Sequence, residues 1–148
     1  NPLICLNHAL AENGYSLEID KNYKFKKILV IYNFFTKDIK NKILNSKNKI
    51  KVNENAELHI IEYTINESKS KFINNVYENI ILEKNSKFKN LFIQNKDSDG
   101  FFHKFIKNRL SLNADCSNLI FSSPIAPQFL NPSLSIKFCI SWTCSVVE

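Results

Sequence analysis

Methionine is missing from this sequence altogether, glycine stands only at positions 14 and 100, and the single arginine is Arg109. With no Met even at position 1, the start of the gene product is expected upstream of Asn1, and the chain is read as a fragment. Two glycines leave almost no backbone for cradling a phosphate, and no Gly-rich phosphate loop can be found. No apolar run reaches the roughly 18 residues of a membrane helix. The start, NPLICLNHALAENG, has neither a basic segment nor a continuous apolar stretch. Neither a membrane association nor a signal peptide is supported, and the expected compartment is the cytoplasm.

Clustered basic charge is lacking too. The net charge of +6 comes from nineteen Lys scattered along the chain beside the one Arg. A nucleic-acid binder clusters such residues and favours Arg, whose planar fork matches phosphate. Nucleic acid is therefore not an expected partner, and a codon bias toward A and T accounts for the excess of Lys, Asn, Ile and Phe. An RNA-binding module would need Phe34, Phe35, Phe101 and Phe102 exposed together beside Lys as stacking platforms. Strand alternation instead puts one member of each pair in the core.

Chemistry-bearing patterns are equally sparse. Cys5, Cys116, Cys139 and Cys144 form no spaced framework and read as reduced thiols. Cys139 and Cys144 lie five apart without a second pair or a nearby His, which does not suit zinc. Cys116 occupies an apolar position and is expected in the core. The imidazoles are His8, His59 and His103, with no His-x-x-x-His pair and no nucleophile elbow. Asp97 and Asp99 in NKDSDG read as a solvated turn, because a calcium loop closes with Glu where Asn108 stands. No catalytic, cofactor-binding or metal-ligating residue is expected, and the chain is not expected to be an enzyme.

What the sequence does contain is a patterned core. The 148 residues are 44% apolar, with a mean hydropathy of −0.23, and read as one soluble domain. Residues 3–12, LICLNHALAE, place Leu3, Leu6, Ala9 and Leu10 at helical spacing, with Asn13-Gly14 as the stop. From Tyr15 onward short stretches rich in Ile, Val, Phe and Tyr read as strands. They are parted by the polar turns TKDIKNK, NSKNK, NESKS and NKDSDG.

One ten-residue pattern recurs. VNENAELHII at 52–61 matches LEKNSKFKNL at 82–91 and LSLNADCSNL at 110–119. Val52, Asn55, Ala56, Leu58 and Ile61 correspond to Leu82, Asn85, Ser86, Phe88 and Leu91, then to Leu110, Asn113, Ala114, Cys116 and Leu119. A weaker copy runs through Ile19, Asn22, Tyr23, Phe25 and Ile28, and the offsets are 33, 30 and 28 residues. Such a period is the mark of stacked units. Asn, tolerant of left-handed backbone, makes the corner between two strands, and the small residue after it lets coils approach. The apolar residues two and five positions past the small residue are expected to face the core. A β-solenoid explains this regular corner better than a sandwich does.

Composition changes near Ser123. Residues 124–148 hold three of the four Pro, the lone Trp, two of the four Cys and one Lys. They are expected to be an irregular tail, either an atypical cap or a segment foreign to the fold.

NPLICLNHALAENGYSLEID resembles the entry into the core of the SufB/SufD family of iron–sulfur cluster assembly proteins, on the SufD side. VNENAELHIIEYTI, NNVYENIILEKNSKFKNLFIQ and DGFFHKFIKNRLSLNADCSNLIFSS follow in the family's order, covering residues 1–123. The resemblance implies an all-β fold, a partial right-handed parallel β-helix with a short N-terminal helix. It implies a SufD-like scaffold that meets a SufB-like subunit and a SufC-like ATPase in the full-length protein, with the iron–sulfur cluster held at the level of the complex. The pattern departs at Pro124, where the family continues with further coils and an ATPase-docking region. No cluster ligand is therefore carried over, and residues 1–148 alone are expected neither to bind the ATPase nor to support cluster assembly. The alternative is an unrelated β-solenoid that binds a polysaccharide or a protein surface.

Overall fold

A short helix opens the chain, and everything after it is strand and corner. The computed structural model describes residues 1–95 and 100–123, so the expectations for 124–148, Asp97, Asp99, Cys139 and Cys144 lie outside the described residues. Helix α1 spans Pro2–Leu10, followed by β1 (Ser16–Ile19), β2 (Leu29–Phe35), β3 (Ile43–Val52), β4 (Glu57–Asn66), β5 (Phe72–Leu82), β6 (Lys87–Asn95), β7 (Gly100–Leu110) and β8 (Asp115–Ser123). Odd strands form one parallel sheet, β1-β3-β5-β7, and even strands a second, β2-β4-β6-β8. Each coil thus gives one strand to each sheet, and the coils stack into a β-solenoid of about three turns.

The corners are built from asparagine. Asn22, Asn55, Asn85 and Asn113 have φ of 64°, 57°, 56° and 57°, a region costly for most side chains and tolerated by Asn. Ala56 and Ser86 follow them fully buried, and Ala114 half-buried. The amides also bond along the stack. Asn55 Nδ2 donates to Asn22 Oδ1 at 3.0 Å, Asn85 to Asn55 at 3.0 Å, and Asn113 to Asn85 at 3.3 Å.

Alternation corrects one expectation. Leu58 and Phe88 are fully buried as expected, but Ile61, Leu91, Leu119 and Ile28 do not face the core. Ile61 and Leu91 are half-buried, Leu119 is 41% exposed and Ile28 54% exposed. Successive strand residues point to opposite faces, so positions three apart cannot share the interior. In β4 the inward set is Leu58, Ile60, Glu62 and Thr64. The same rule puts Phe35 inside and leaves Phe34 exposed, and it exposes Phe101 while Phe102 is half-buried.

A second correction falls on NSKNK, which is no turn but the middle of β3. Its inward residues Ser46 and Asn48 are polar because they border a polar interior, and pairing with β5 along the whole length of β3 holds the backbone extended. The helix differs as well. It begins at Pro2 under an Asn1 cap and ends at Leu10. Its anchor is an amide, with Ala9 and Leu10 exposed and Asn7 fully buried. Asn7 Nδ2 forks onto the carbonyls of Ser46 (2.9 Å) and Asn75 (2.8 Å), while Asn75 Nδ2 returns a bond to Leu3 O at 2.8 Å. Gly14 then carries the chain past β3 at φ 144°, where a Cβ would lie 2.1 Å from the Lys47 carbonyl oxygen. No L side chain fits there.

Candidate functional site

Next to the corners the space between the sheets is dry, filled by Ile50, Val52, Leu58, Ile60, Ile80, Leu82 and Phe88, each at most 2% exposed. Two residues further along each strand the inward positions turn polar. Alternation delivers Asn48 and Glu78 from one sheet and Glu62 and Thr64 from the other, with Lys104 entering from β7. Beyond them Phe35, Phe72 and Phe102 close the interior, their ring centroids 5.3 to 5.5 Å apart. Gly100 is required here, because a Cβ would stand 2.7 Å from the Phe72 ring.

The polar layer borders a partly open cavity of about 560 Å³ lined by Tyr15, Asn48, Glu62, Thr64, Lys104 and neighbouring residues. Lys104 organises it. Its Nζ lies 2.6 Å from Glu62 Oε1 and 3.2 Å from Glu78 Oε2, and 4.9 Å from the Phe92 ring centre. Asn90 Nδ2 also donates to Glu62 Oε1 at 2.7 Å, and the Tyr15 hydroxyl donates to Glu78 Oε1 at 3.4 Å. Glu62 is 3% exposed and Glu78 fully buried. One cation thus serves two carboxyl groups in a medium that penalises charge. Burial, with Glu62 nearby, pushes Glu78 above the usual carboxylate range against the pull of Lys104. Burial and the two glutamates likewise raise the Tyr15 hydroxyl. The cluster offers polar contacts to a small molecule.

The residues singled out by sequence do not converge on this cavity as a catalytic set. His8, on α1, packs against Tyr77 with the rings tilted by 56° and their centres 4.5 Å apart. His59 lies on the outer face, half-exposed, with Nε2 3.0 Å from Glu57 Oε1. His103 Nδ1 meets Asn75 Oδ1 at 2.9 Å. Cys5 is exposed, and Cys116 is half-buried with its thiol pushed up to about 11 by burial. Among the described residues no group of three or more His, Cys, Asp or Glu is placed to hold a metal ion. Sequence reasoning passed over Glu62, Glu78 and Lys104. Each is a charge embedded in an apolar run, and strict alternation counted from Leu58 or Leu82 would have turned both glutamates inward.

A second feature lies on the outside of β2-β4-β6-β8. Register aligns Val30, Ile61, Leu91 and Leu119 in one row, Tyr32, Tyr63, Ile93 and Phe121 in the next, and Phe34 with Ile65. Val30, Tyr32 and Phe34 are 43%, 65% and 53% exposed. Tyr32 and Tyr63 meet edge to face, 6.0 Å between centres. Together they make a contiguous, partly exposed apolar face on this sheet. Among the described residues no helix is long and apolar enough to cross a membrane. Compared with known proteins, the chain matches no family model, no curated protein and no solved structure.

Proposed function

We propose that the chain is a non-enzymatic scaffold, a SufD-like part of an iron–sulfur cluster assembly complex that works through protein–protein contact. Support comes from the ordered sequence resemblance over residues 1–123 together with the β-solenoid fold. The observation that carries the contact role is the apolar outer face of β2-β4-β6-β8, whose occupant in this reading is a SufB-like subunit. The iron–sulfur cluster belongs to the complex and not to this chain, and the compartment is the cytoplasm.

Co-expression with the SufB-like and SufC-like proteins of the same genome tests the reading. The SufB-like subunit should co-purify with the chain, and Tyr32→Lys or Val30→Lys should abolish recovery while leaving the circular dichroism spectrum unchanged. Residues 1–148 alone should not retain the SufC-like ATPase. Recovery of the ATPase without the SufB-like subunit, or indifference to both substitutions, contradicts the proposal. The exposed Tyr32–Tyr63 pair favours a second reading, a solenoid face on which a polysaccharide stacks. Retention on a polysaccharide column that is lost with Tyr32→Ala would support it instead.

A further inference from the structure

The two sheets present opposite characters on their outer faces: where the second is apolar, the first is cationic. In β3, β5 and β7 even-numbered residues turn inward and odd-numbered ones outward. Helix α1 lies over part of that outer face, where Asn7 bonds the Ser46 and Asn75 carbonyls and His8 packs on Tyr77. Nearer the corners Lys47, Lys49, Lys107 and Arg109 are exposed and Lys51 is half-buried. These cations are far apart along the chain, and the coil register gathers them into two columns. Lys47, Lys49 and Lys51 run along β3, Lys107 and Arg109 along β7, and Asn79 and Ile81 of β5 lie between them.

The charge is not cancelled on the spot. Glu18 on β1 holds Lys51 at 2.8 Å and also accepts from Asn53 Nδ2 at 3.0 Å, and Glu83 stands near Lys51. Among the described residues no carboxylate forms an ion pair with Lys47, Lys49, Lys107 or Arg109. Residues 96–99 and 124–148 add only Asp97, Asp99 and Glu148 as acids, beside Lys96 and Lys137, too little to neutralise the patch. At the same height on the second sheet the rows Glu57, Lys87, Asp115 and His59, Lys89, Ser117 mix the signs. Two inter-strand steps hold the cationic columns about 9.5 Å apart, slightly beyond the screening length of about 8 Å at physiological salt. Their mutual repulsion is therefore mild, while their summed potential attracts an anion.

Geometry selects among anionic partners. Along each column the cations repeat every second residue, about 6.6 Å. That is also the step between same-side side chains of any extended peptide, so a segment laid along β5 would send alternate side chains to β3 and β7 in phase with both. Nucleic acid would call for an aromatic platform under its bases. Here Tyr77 is buried beneath His8, and Phe105 is half-buried and stacked on Tyr77 with ring centres 5.6 Å apart. Four of the five cations are Lys, which lacks the planar fork that matches phosphate.

We propose that the corner-side half of the outer face of β1-β3-β5-β7 docks an extended acidic segment of a partner protein. Its Asp or Glu side chains reach alternately to Lys47, Lys49 and Lys51 on one side and to Lys107 and Arg109 on the other. The surface lies on the sheet opposite Val30 and Tyr32, and the proposal stands whether or not a SufB-like subunit occupies theirs.

Fluorescence anisotropy of a labelled oligoglutamate peptide with the full chain tests it. The peptide should bind, and its affinity should fall at least about tenfold as salt rises from about 50 to about 300 mM. Lys49→Glu with Lys107→Glu should weaken binding at least about tenfold with the circular dichroism spectrum unchanged, and Lys49→Gln with Lys107→Gln by a smaller factor. Lys87→Glu with Lys89→Glu, an equal change of charge on the other sheet, should leave affinity within about twofold. Glu18→Gln frees Lys51 and should tighten binding about threefold, a gain that no loss of folding can mimic. Tyr32→Ala should leave the peptide's affinity unchanged, which separates this face from the apolar one. Absence of peptide binding overturns the proposal, as do equal losses from the two Glu pairs or a Gln pair without effect. Tighter binding of an oligothymidylate of matched charge, with the same sensitivity to Lys49 and Lys107, makes nucleic acid the occupant and overturns it too.

Discussion

The two halves of the interior are made by the same strands under the same alternation, yet one is dry and the other wet. Beside the corners Leu58, Ile80, Leu82 and Phe88 meet across the gap with no polar atom between them. Past Ile60 and Ile80 the next inward residues are Glu62 and Glu78, held by Lys104, and then the Phe35–Phe72–Phe102 cluster closes the far side. Stacking in a parallel solenoid places each row on its equivalent in neighbouring coils, so an apolar row propagates readily. A charged row does not, because like charges would stack. The polar layer avoids this by drawing its groups from different sheets and coils, with Glu62 on β4, Glu78 on β5 and Lys104 on β7.

Removing the cation should have the largest effect. Lys104→Met leaves two buried carboxyl groups facing each other and should cost about 4 kcal/mol by urea unfolding at neutral pH. The loss should shrink in acid, where carboxyl groups are protonated. Leu58→Ala in the dry half should cost about 3 kcal/mol, with no comparable dependence on pH. If the two variants respond alike to pH, the division into dry and wet halves is wrong. Asn85→Ala should cost about 1.5 kcal/mol, combining the left-handed strain with the broken amide ladder, and Asn85→Gly roughly half as much because the backbone is relieved.

The smallest effect sharpens the comparison most. Glu78 is raised by burial, so folding favours its protonated form. Its contribution is full below the ordinary carboxylate range and is lost as pH rises through the raised value. Glu78→Gln should therefore match the unsubstituted protein in acid and exceed it in thermal stability at neutral pH by a few degrees. A variant less stable than the parent at neutral pH would mean that the Lys104 pair outweighs desolvation.

The corners were legible because Asn in left-handed backbone is a local property, repeated at a spacing visible in one dimension. Strand faces were half legible. The apolar residue two places past the small one was placed correctly, but the one five places past it was turned inward because hydrophobicity outweighed parity, and Ile61, Leu91 and Leu119 belong to the outer face. NSKNK was hidden for the opposite reason, since a polar strand looks like a turn when the cavity that accepts it is unknown. The Glu62–Lys104–Glu78 cluster was beyond sequence reading as a unit. It joins residues up to 42 apart, and only the coil register brings them together.

The Asn ladder has a sense of direction: Asn55, Asn85 and Asn113 each give a side-chain N–H toward the first coil, and Asn22, Asn55 and Asn85 each receive one from the coil after. The molecule's length is consequently quantised. A whole coil can be inserted or removed and each surviving amide finds an identical neighbour, whereas a shift of one residue breaks the bonds of every corner it touches. The coil offsets of 33, 30 and 28 residues show where the tolerance lies. It lies partly just past the first corner, where the offset falls from 33 at Lys24↔Glu57 to 31 at Leu29↔Ile60, and partly in the connection from β2 to β3, beyond which it is 30 at Ile43↔Ile73.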